Sequence, residues 1–385
     1  MLSPPPPHPL TPGPHTFLSA SKNLTFEYII HSNTPEHPSH VNHNLIIIHP
    51  PAWGLGSSYL QHGLRPLLTR CPSSSPSSSS PKPKPYILLM HHPRGTGAST
   101  RPLSQTAMSS FELASDLEDL RIHLNLEKIP TLLGHSNGGA IALSYAEMYP
   151  DRVEKLVLVG GQLVGFKNIT LAEEEERSVE DQRRGSQDED EGVVNDGNDR
   201  GSGSVNRPGK ENDNENRNEE RHEDGDKQQH SKKDINTNVL ENPRHDPRYS
   251  STSTLKLNRS SDETFTASVN AIWPLYFSNP TQHLHSLLSA IGDHVMPVWC
   301  YEWVYGSDQV YEESGEMVSR LGDVKAQTLI ISGAEDLACR VESAEKMRDG
   351  IAGSRLVVCE ECGHFPWIEA REKTLHEIRR FVEKT

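Results

Sequence analysis

Apolar residues in this chain fall into two patterns that alternate along its length. Short continuous runs occupy residues 44–49 (NLIIIH), 86–90 (YILLM), 130–133 (PTLL), 153–160 (VEKLVLVG), 328–332 (TLIIS) and 355–358 (RLVV). A run without polar alternation is what a strand covered on both faces requires. Between the runs, apolar residues recur at helical spacing. In 109–126, Phe111, Leu113, Leu117, Leu120 and Leu124 form the apolar set, and Ser109 or Ser110 can cap the first turn. Residues 138–148 and 367–382 carry similar patterns, and 16–30 predicts a hairpin ahead of the first run. Strands alternating with helices predict a parallel sheet with helices on both faces.

Two stretches break this pattern. Residues 172–250 hold 23 Asp and Glu against 13 Lys and Arg, a net of −10 out of the chain's −15. That tract has almost no large aliphatic residues, so it cannot bury enough apolar surface to offset the entropy of ordering, and disorder is expected. Residues 72–85 (PSSSPSSSSPKPKP) predict a flexible loop, and residues 1–14 a proline-rich tail. These segments explain a hydrophobic fraction of 34% in 385 residues and a mean hydropathy of −0.64. The remainder, roughly 280 residues, is ample for one core. The acidic charge argues against nucleic acid or an anionic membrane as partner. No apolar run approaches the ~18 residues of a membrane span. The N-terminus lacks the basic and apolar regions of a secretory signal. Five cysteines, an odd number, fit a reducing, cytoplasmic setting.

The sharpest motif is Gly134-His135-Ser136-Asn137-Gly138-Gly139, between a strand run and a helical run. This is a G-x-S-x-G turn in the context that projects a serine hydroxyl above a sheet. Glycine is needed because a side chain at Gly134 or Gly138 would collide with neighbouring chain in so tight a turn. The helix N-terminus beyond it favours a developing oxyanion. A serine hydroxyl needs a base to become a nucleophile, and in this scaffold the acid precedes the base in sequence. Asp336 follows the run 328–332, with Glu335 as the alternative acid, and His364 follows the run 355–358. All lie just past strand C-terminal ends, where open α/β sheets bind ligands. The expected roles are Ser136 as nucleophile, His364 as general base and Asp336 as the carboxylate that orients it.

These residues resemble the α/β-hydrolase superfamily over about residues 45–381. Residues 92–99 (HPRGTGAS) look like the family's D-x-R-G-x-G-x-S turn, with His92 in place of Asp, and 49–56 (HPPAWGLG) look like its oxyanion loop. The set is similar to the proline-iminopeptidase-like branch, including its fungal members, although true proline iminopeptidases carry GGSWG where this chain has GHSNGG. The resemblance implies an α/β-hydrolase fold: a mostly parallel eight-stranded sheet flanked by helices, with a helical cap interrupted by a disordered acidic insertion at about 172–262. The core is then expected at 15–161 and 326–385, and the cap at 162–325.

The oxyanion hole needs two backbone N–H groups. Asn137 can supply one. The loop positions after His49 are Pro50 and Pro51, which have no N–H, so the second donor is expected from Trp53 or Ala52. Aromatic residues are concentrated in the cap, and Trp273, Tyr276 and Trp303 are candidate substrate contacts. Cys359-x-x-Cys362 lacks the second ligand pair of a zinc site and the context of a redox motif, so it is read as packing. No metal or cofactor is expected. The leading reading is a serine hydrolase acting on a small-molecule or short-peptide ester or amide. The alternatives are a proline aminopeptidase, with Glu302, Glu312, Glu313 or Glu316 holding a free amine, and a catalytically weak ligand-binding receptor.

Overall fold

The computed structural model describes residues 10–33, 44–68, 86–166 and 257–383. The loop expected at 72–85 and nearly all of the polar tract lie outside these residues. One eight-stranded sheet has the order β1-β2-β4-β3-β5-β6-β7-β8. Its strands are β1 (Gly13–Ser19), β2 (Leu24–Ser32), β3 (Leu45–His49), β4 (Ile87–His91), β5 (Ile129–His135), β6 (Val153–Val159), β7 (Gln327–Gly333) and β8 (Arg355–Cys359). The pairs from β4 through β8 are parallel, while β1–β2 and β2–β4 are antiparallel. The opening hairpin thus extends an otherwise parallel sheet.

Each apolar run became a strand because both faces are covered. Leu45 and Ile47 pack into one core, while Ile46 and Ile48 pack into the other. The first core takes its helical side from α2 (Ser110–His123) and α3 (Asn137–Met148). The second takes it from α1 (Ser58–Leu64) and the C-terminal helix described below. In α2, Ser109 is the cap and accepts from the Glu112 N–H. The helix stops short of the expected residue 126 because Asn125 turns left-handed at φ 53°. Near the other end of α3, both oxygens of the buried Glu147 carboxyl lack a hydrogen bond among the described residues. Burial pushes its pKa up to about 9.

Between β6 and β7 stand the cap helices α4 (Asp262–Ile272), α5 (Pro280–Ile291), α6 (Val298–Ser314) and α7 (Glu316–Ser319). The sheet is completed by α8 (Val341–Gly350), α9 (Pro366–Glu369) and α10 (Arg371–Glu383). Three expected boundaries move. Gly13 and Pro14, placed in the tail by composition, open β1, where a proline is tolerated because this is an edge strand. Asp262, placed in the insertion, starts α4: Ser261 and Thr264 form a capping box, so these polar residues are a helix signal. The single helix expected over 367–382 breaks at Ala370, whose φ and ψ (−113°, 44°) are not helical.

Cap and core are joined by a buried carboxylate. Asp308 of α6 accepts from the backbone N–H and the hydroxyl of Ser110, both at 2.7 Å. The Ser110 N–H is the first of α2, which no carbonyl within that helix can reach. No helix among the described residues is long and apolar enough to cross a membrane.

Candidate active site

Ser136 sits between β5 and α3 with φ 56° and ψ −127°, a conformation costing a non-glycine residue on the order of 1–3 kcal/mol. The glycines around it leave no alternative. A Cβ on Gly134 would lie 2.3 Å from the Gly138 carbonyl oxygen, and one on Gly138 would lie 2.2 Å from that of His49. The turn is held by the Ser136 carbonyl, which accepts from Gly139 N–H (2.8 Å) and Gln162 N–H (3.0 Å).

His364 lies past the end of β8 and Asp336 past the end of β7. The His364 Nδ1–H donates to Asp336 Oδ2 at 2.7 Å, and both side chains are buried. Asp336 Oδ1 accepts from the N–H groups of Ala338 and Cys339, each at 2.9 Å. The carboxylate is therefore fixed by three donors. The alternative acid, Glu335, instead accepts from the Ser278 hydroxyl at 2.9 Å, facing the cap. Gly160, at φ 50°, passes under the pair: a Cβ there would be 3.2 Å from His364 Nδ1. Ser136 and His364 line the same cavity. Among the described residues the Ser136 hydroxyl makes no hydrogen bond to His364 and instead interacts with the Cys339 thiol. Such contacts often tighten only with substrate bound.

The two candidate loop donors have different fates. The Ala52 N–H donates to the Asn137 side-chain carbonyl at 3.1 Å. The N–H groups of Trp53 and Asn137 have no partner among the described residues. The bend that presents Trp53 is made by Gly54 at φ 99°, which packs so closely that a Cβ would meet Pro297 at 2.9 Å. His92, standing where the family pattern has Asp, pins the far end of this loop. Its two ring nitrogens bond Glu27 Oε2 (2.6 Å) and the Ser57 hydroxyl (2.8 Å).

The cavity above Ser136 has a volume of about 260 Å³, and Trp53, Trp273 and Tyr276 line it. Trp303 does not. It packs edge-on to Trp299 at 5.0 Å, with the Arg101 guanidinium over both rings. The reason is helical phase: Tyr301 and Tyr305, four residues apart on α6, face the cavity, and a residue midway between them points to the opposite side. Of the four cap glutamates, Glu302 is near Arg259, Glu316 is near Arg320, and Glu313 accepts from Gln309. Glu312 borders a neighbouring cavity of about 300 Å³ that shares Gln162, Ala338 and Cys339 with the first.

Several positions escape the sequence reading. His135 is buried beside His364, and burial with that neighbour holds its pKa well below the usual histidine value. The neutral ring donates Nε2–H to the His364 carbonyl (3.1 Å), which leaves Nδ1 to accept from the Tyr59 hydroxyl (2.7 Å). Glu369 accepts from Gly363 N–H (2.6 Å) and Asn279 N–H (3.0 Å), tying the His364 loop to the cap. Burial, and after it the Asp336 charge, push the Cys339 thiol pKa well above its usual value and keep it protonated. Cys359 and Cys362 are free and buried.

A family model described as alpha/beta hydrolase fold matches residues 45–204, and one described as TAP-like protein matches residues 291–384. The proline iminopeptidase of Lactobacillus crispatus is 32% identical over 88 residues, 22% of this chain and 30% of that protein. The chain spans less than a third of the length of the curated relatives it matches first. An alpha/beta fold family hydrolase from Bacillus anthracis superposes with a TM-score of 0.56 at 15% identity, covering 96% of this chain and 98% of that one. An esterase from Exiguobacterium antarcticum does so at 0.54 and 18%, covering 96% and 99%. At such identities the likeness is one of fold. Fold, strand-end turn and sequence matches converge on the α/β-hydrolase superfamily, and the chain has the α/β-hydrolase fold.

Proposed function

We propose that this protein is a serine hydrolase that cleaves a small ester or amide through an acyl-enzyme. Ser136 Oγ attacks the substrate carbonyl while His364 Nε2 takes its proton. Asp336, bonded to Nδ1 at 2.7 Å, keeps the imidazole in the tautomer that leaves Nε2 free and stabilises the imidazolium. The oxyanion is met by the N–H groups of Asn137 and Trp53. On collapse of the tetrahedral adduct the leaving group takes the proton from His364. A water, activated by the same base, then releases the acid and restores Ser136. The observation that carries this reading is the pairing of a serine at φ 56° with a buried His–Asp couple on one cavity.

The test is labelling by a fluorophosphonate probe together with hydrolysis of p-nitrophenyl esters. Wild type should label and turn over. Ser136→Ala should lose labelling and roughly 10⁴-fold or more in kcat, because removing the nucleophile leaves only residual catalysis from binding and the oxyanion site. Labelling that persists in the variant would refute the assignment. A proline aminopeptidase is the second reading, favoured by the names of curated relatives and by Glu312 on the adjoining cavity. It requires prolyl-naphthylamide to be the better substrate.

A further inference from the structure

Among the described residues, the wall of the Ser136 cavity carries no Asp, Glu, Lys or Arg. Its polar groups include three phenols, beside Gln162 and His364. Tyr301 and Tyr305 come from adjacent turns of α6, their rings 4.6 Å apart. Tyr276 comes from the turn after α4 and packs edge-on to His364 at 5.3 Å. Among the described residues, no hydrogen bond reaches any of these hydroxyls, and none of the three oxygens is sealed from solvent. The rest of the wall is largely apolar, including Trp53, Leu55, Val269 and Phe365.

Two consequences follow from elementary energetics. A charged group entering this cavity would lose its hydration and find no opposite charge in the wall, which is costly. A hydroxyl left unpaired when an apolar group displaces water also carries a penalty, whereas a ligand oxygen that accepts from it removes that penalty. Sites built to hydrogen-bond a polar group reject analogues that lack it far better than apolar pockets reject an extra methylene. Burial raises all three phenol pKa values, so each remains an O–H donor across the neutral and mildly alkaline range.

We propose that the Ser136 cavity selects an uncharged acyl group carrying a second oxygen, a keto or hydroxy function, which the phenols of Tyr276, Tyr301 and Tyr305 bind. The proposal rests on the serine-hydrolase reading for its placement of the acyl group. It opposes a free α-amine and a free carboxylate as the distal group of the substrate.

The experiment compares p-nitrophenyl esters of similar length: pentanoate, 4-oxopentanoate and hemisuccinate, with prolyl-naphthylamide beside them. The 4-oxopentanoate ester should exceed pentanoate in kcat/KM by roughly 10-fold or more, and the two charged substrates should be poorest. Tyr301→Phe and Tyr305→Phe should each shrink the 4-oxopentanoate to pentanoate ratio toward one. A binding arm separates this proposal from the one beneath it. Ser136→Ala should bind methyl 4-oxopentanoate more tightly than methyl pentanoate by calorimetry, a result that does not need turnover. An absence of labelling and turnover would remove the hydrolase reading while this arm still decides the selectivity. Equal kcat/KM values for the two neutral esters, equal losses for both in the phenylalanine variants, or a preference for the charged substrates would overturn the proposal.

Discussion

The strand ends that carry Ser136, Asp336 and His364 differ in kind from the cap that roofs them. At the strand ends the geometry is set by backbone against backbone. Gly134 and Gly138 allow no Cβ, and neither do Gly333, where it would lie 2.1 Å from the Gly363 carbonyl oxygen, and Gly363, where it would lie 2.4 Å from that of Tyr276. In the cap, geometry is set by which face of a helix turns inward. Tyr301 and Tyr305 reach the cavity from α6, while Trp303 between them stacks under Arg101 on the other side. On the reaction proposed above, the first region has little freedom to vary. The second can exchange side chains one at a time and alter only what is bound.

The largest effect that would test this contrast comes from Asp336→Asn. It should keep the fold but favour the wrong imidazole tautomer, lowering kcat by about 10⁴ by analogy with the serine-protease template. Glu335→Gln, one residue away, should cost no more than a few-fold, since Glu335 faces Ser278. Steady-state kinetics on one ester decides between them, and a reversed order would reassign the acid. Next is Gly138→Ala. A methyl 2.2 Å from the His49 carbonyl oxygen must displace the oxyanion loop, and a shift near 1 Å can cost on the order of 10² in rate. An unchanged kcat/KM would show that the turn has slack.

Glu147→Gln should change stability alone. A folded-state pKa of about 9 against the usual glutamate value of 4.5 means that the wild-type carboxyl contributes full stability below pH 4.5. That contribution is lost as pH rises from there toward 9. The variant should therefore match wild type near pH 4 and exceed it near pH 7 by roughly 1–3 kcal/mol in urea unfolding. A gain independent of pH would mean that the carboxyl is not the source. The smallest effect is expected from Trp303→Ala, which should leave kcat/KM within about two-fold, as for substitutions away from a site. A larger loss would put Trp303 back in the binding surface and weaken the helical-phase argument.

The strand-end chemistry was legible because it is local. Six residues around Ser136 contain both the turn and the reason for its glycines, and the acid and base each follow a recognisable strand run. What those rules could not decide was the choice between Asp336 and Glu335, which depends on which side chain faces the imidazole. The preference for Trp53 over Ala52 likewise rests on one long-range bond, the Ala52 N–H to the Asn137 side chain, between residues 85 apart in sequence. The Tyr59–His135 bond spans 76 residues and had no local signature. In the cap, aromatic composition pointed to the right helix, but without its register the selection of Trp303 over Tyr301 and Tyr305 had no physical basis.

The bond from Asp308 to Ser110 gives the cap a mechanical role. A helix of the core has its first turn capped by a carboxylate that belongs to the cap. Lifting α6 away would strand a buried carboxylate and reopen the start of α2, so the two are expected to open as one cooperative unit. In native-state hydrogen exchange, the amide of Ser110 should then exchange only in the openings that also release α6. On the proposed function, the breathing that admits a substrate is then expected elsewhere on the rim, with α6 held still as a fixed wall of the cavity.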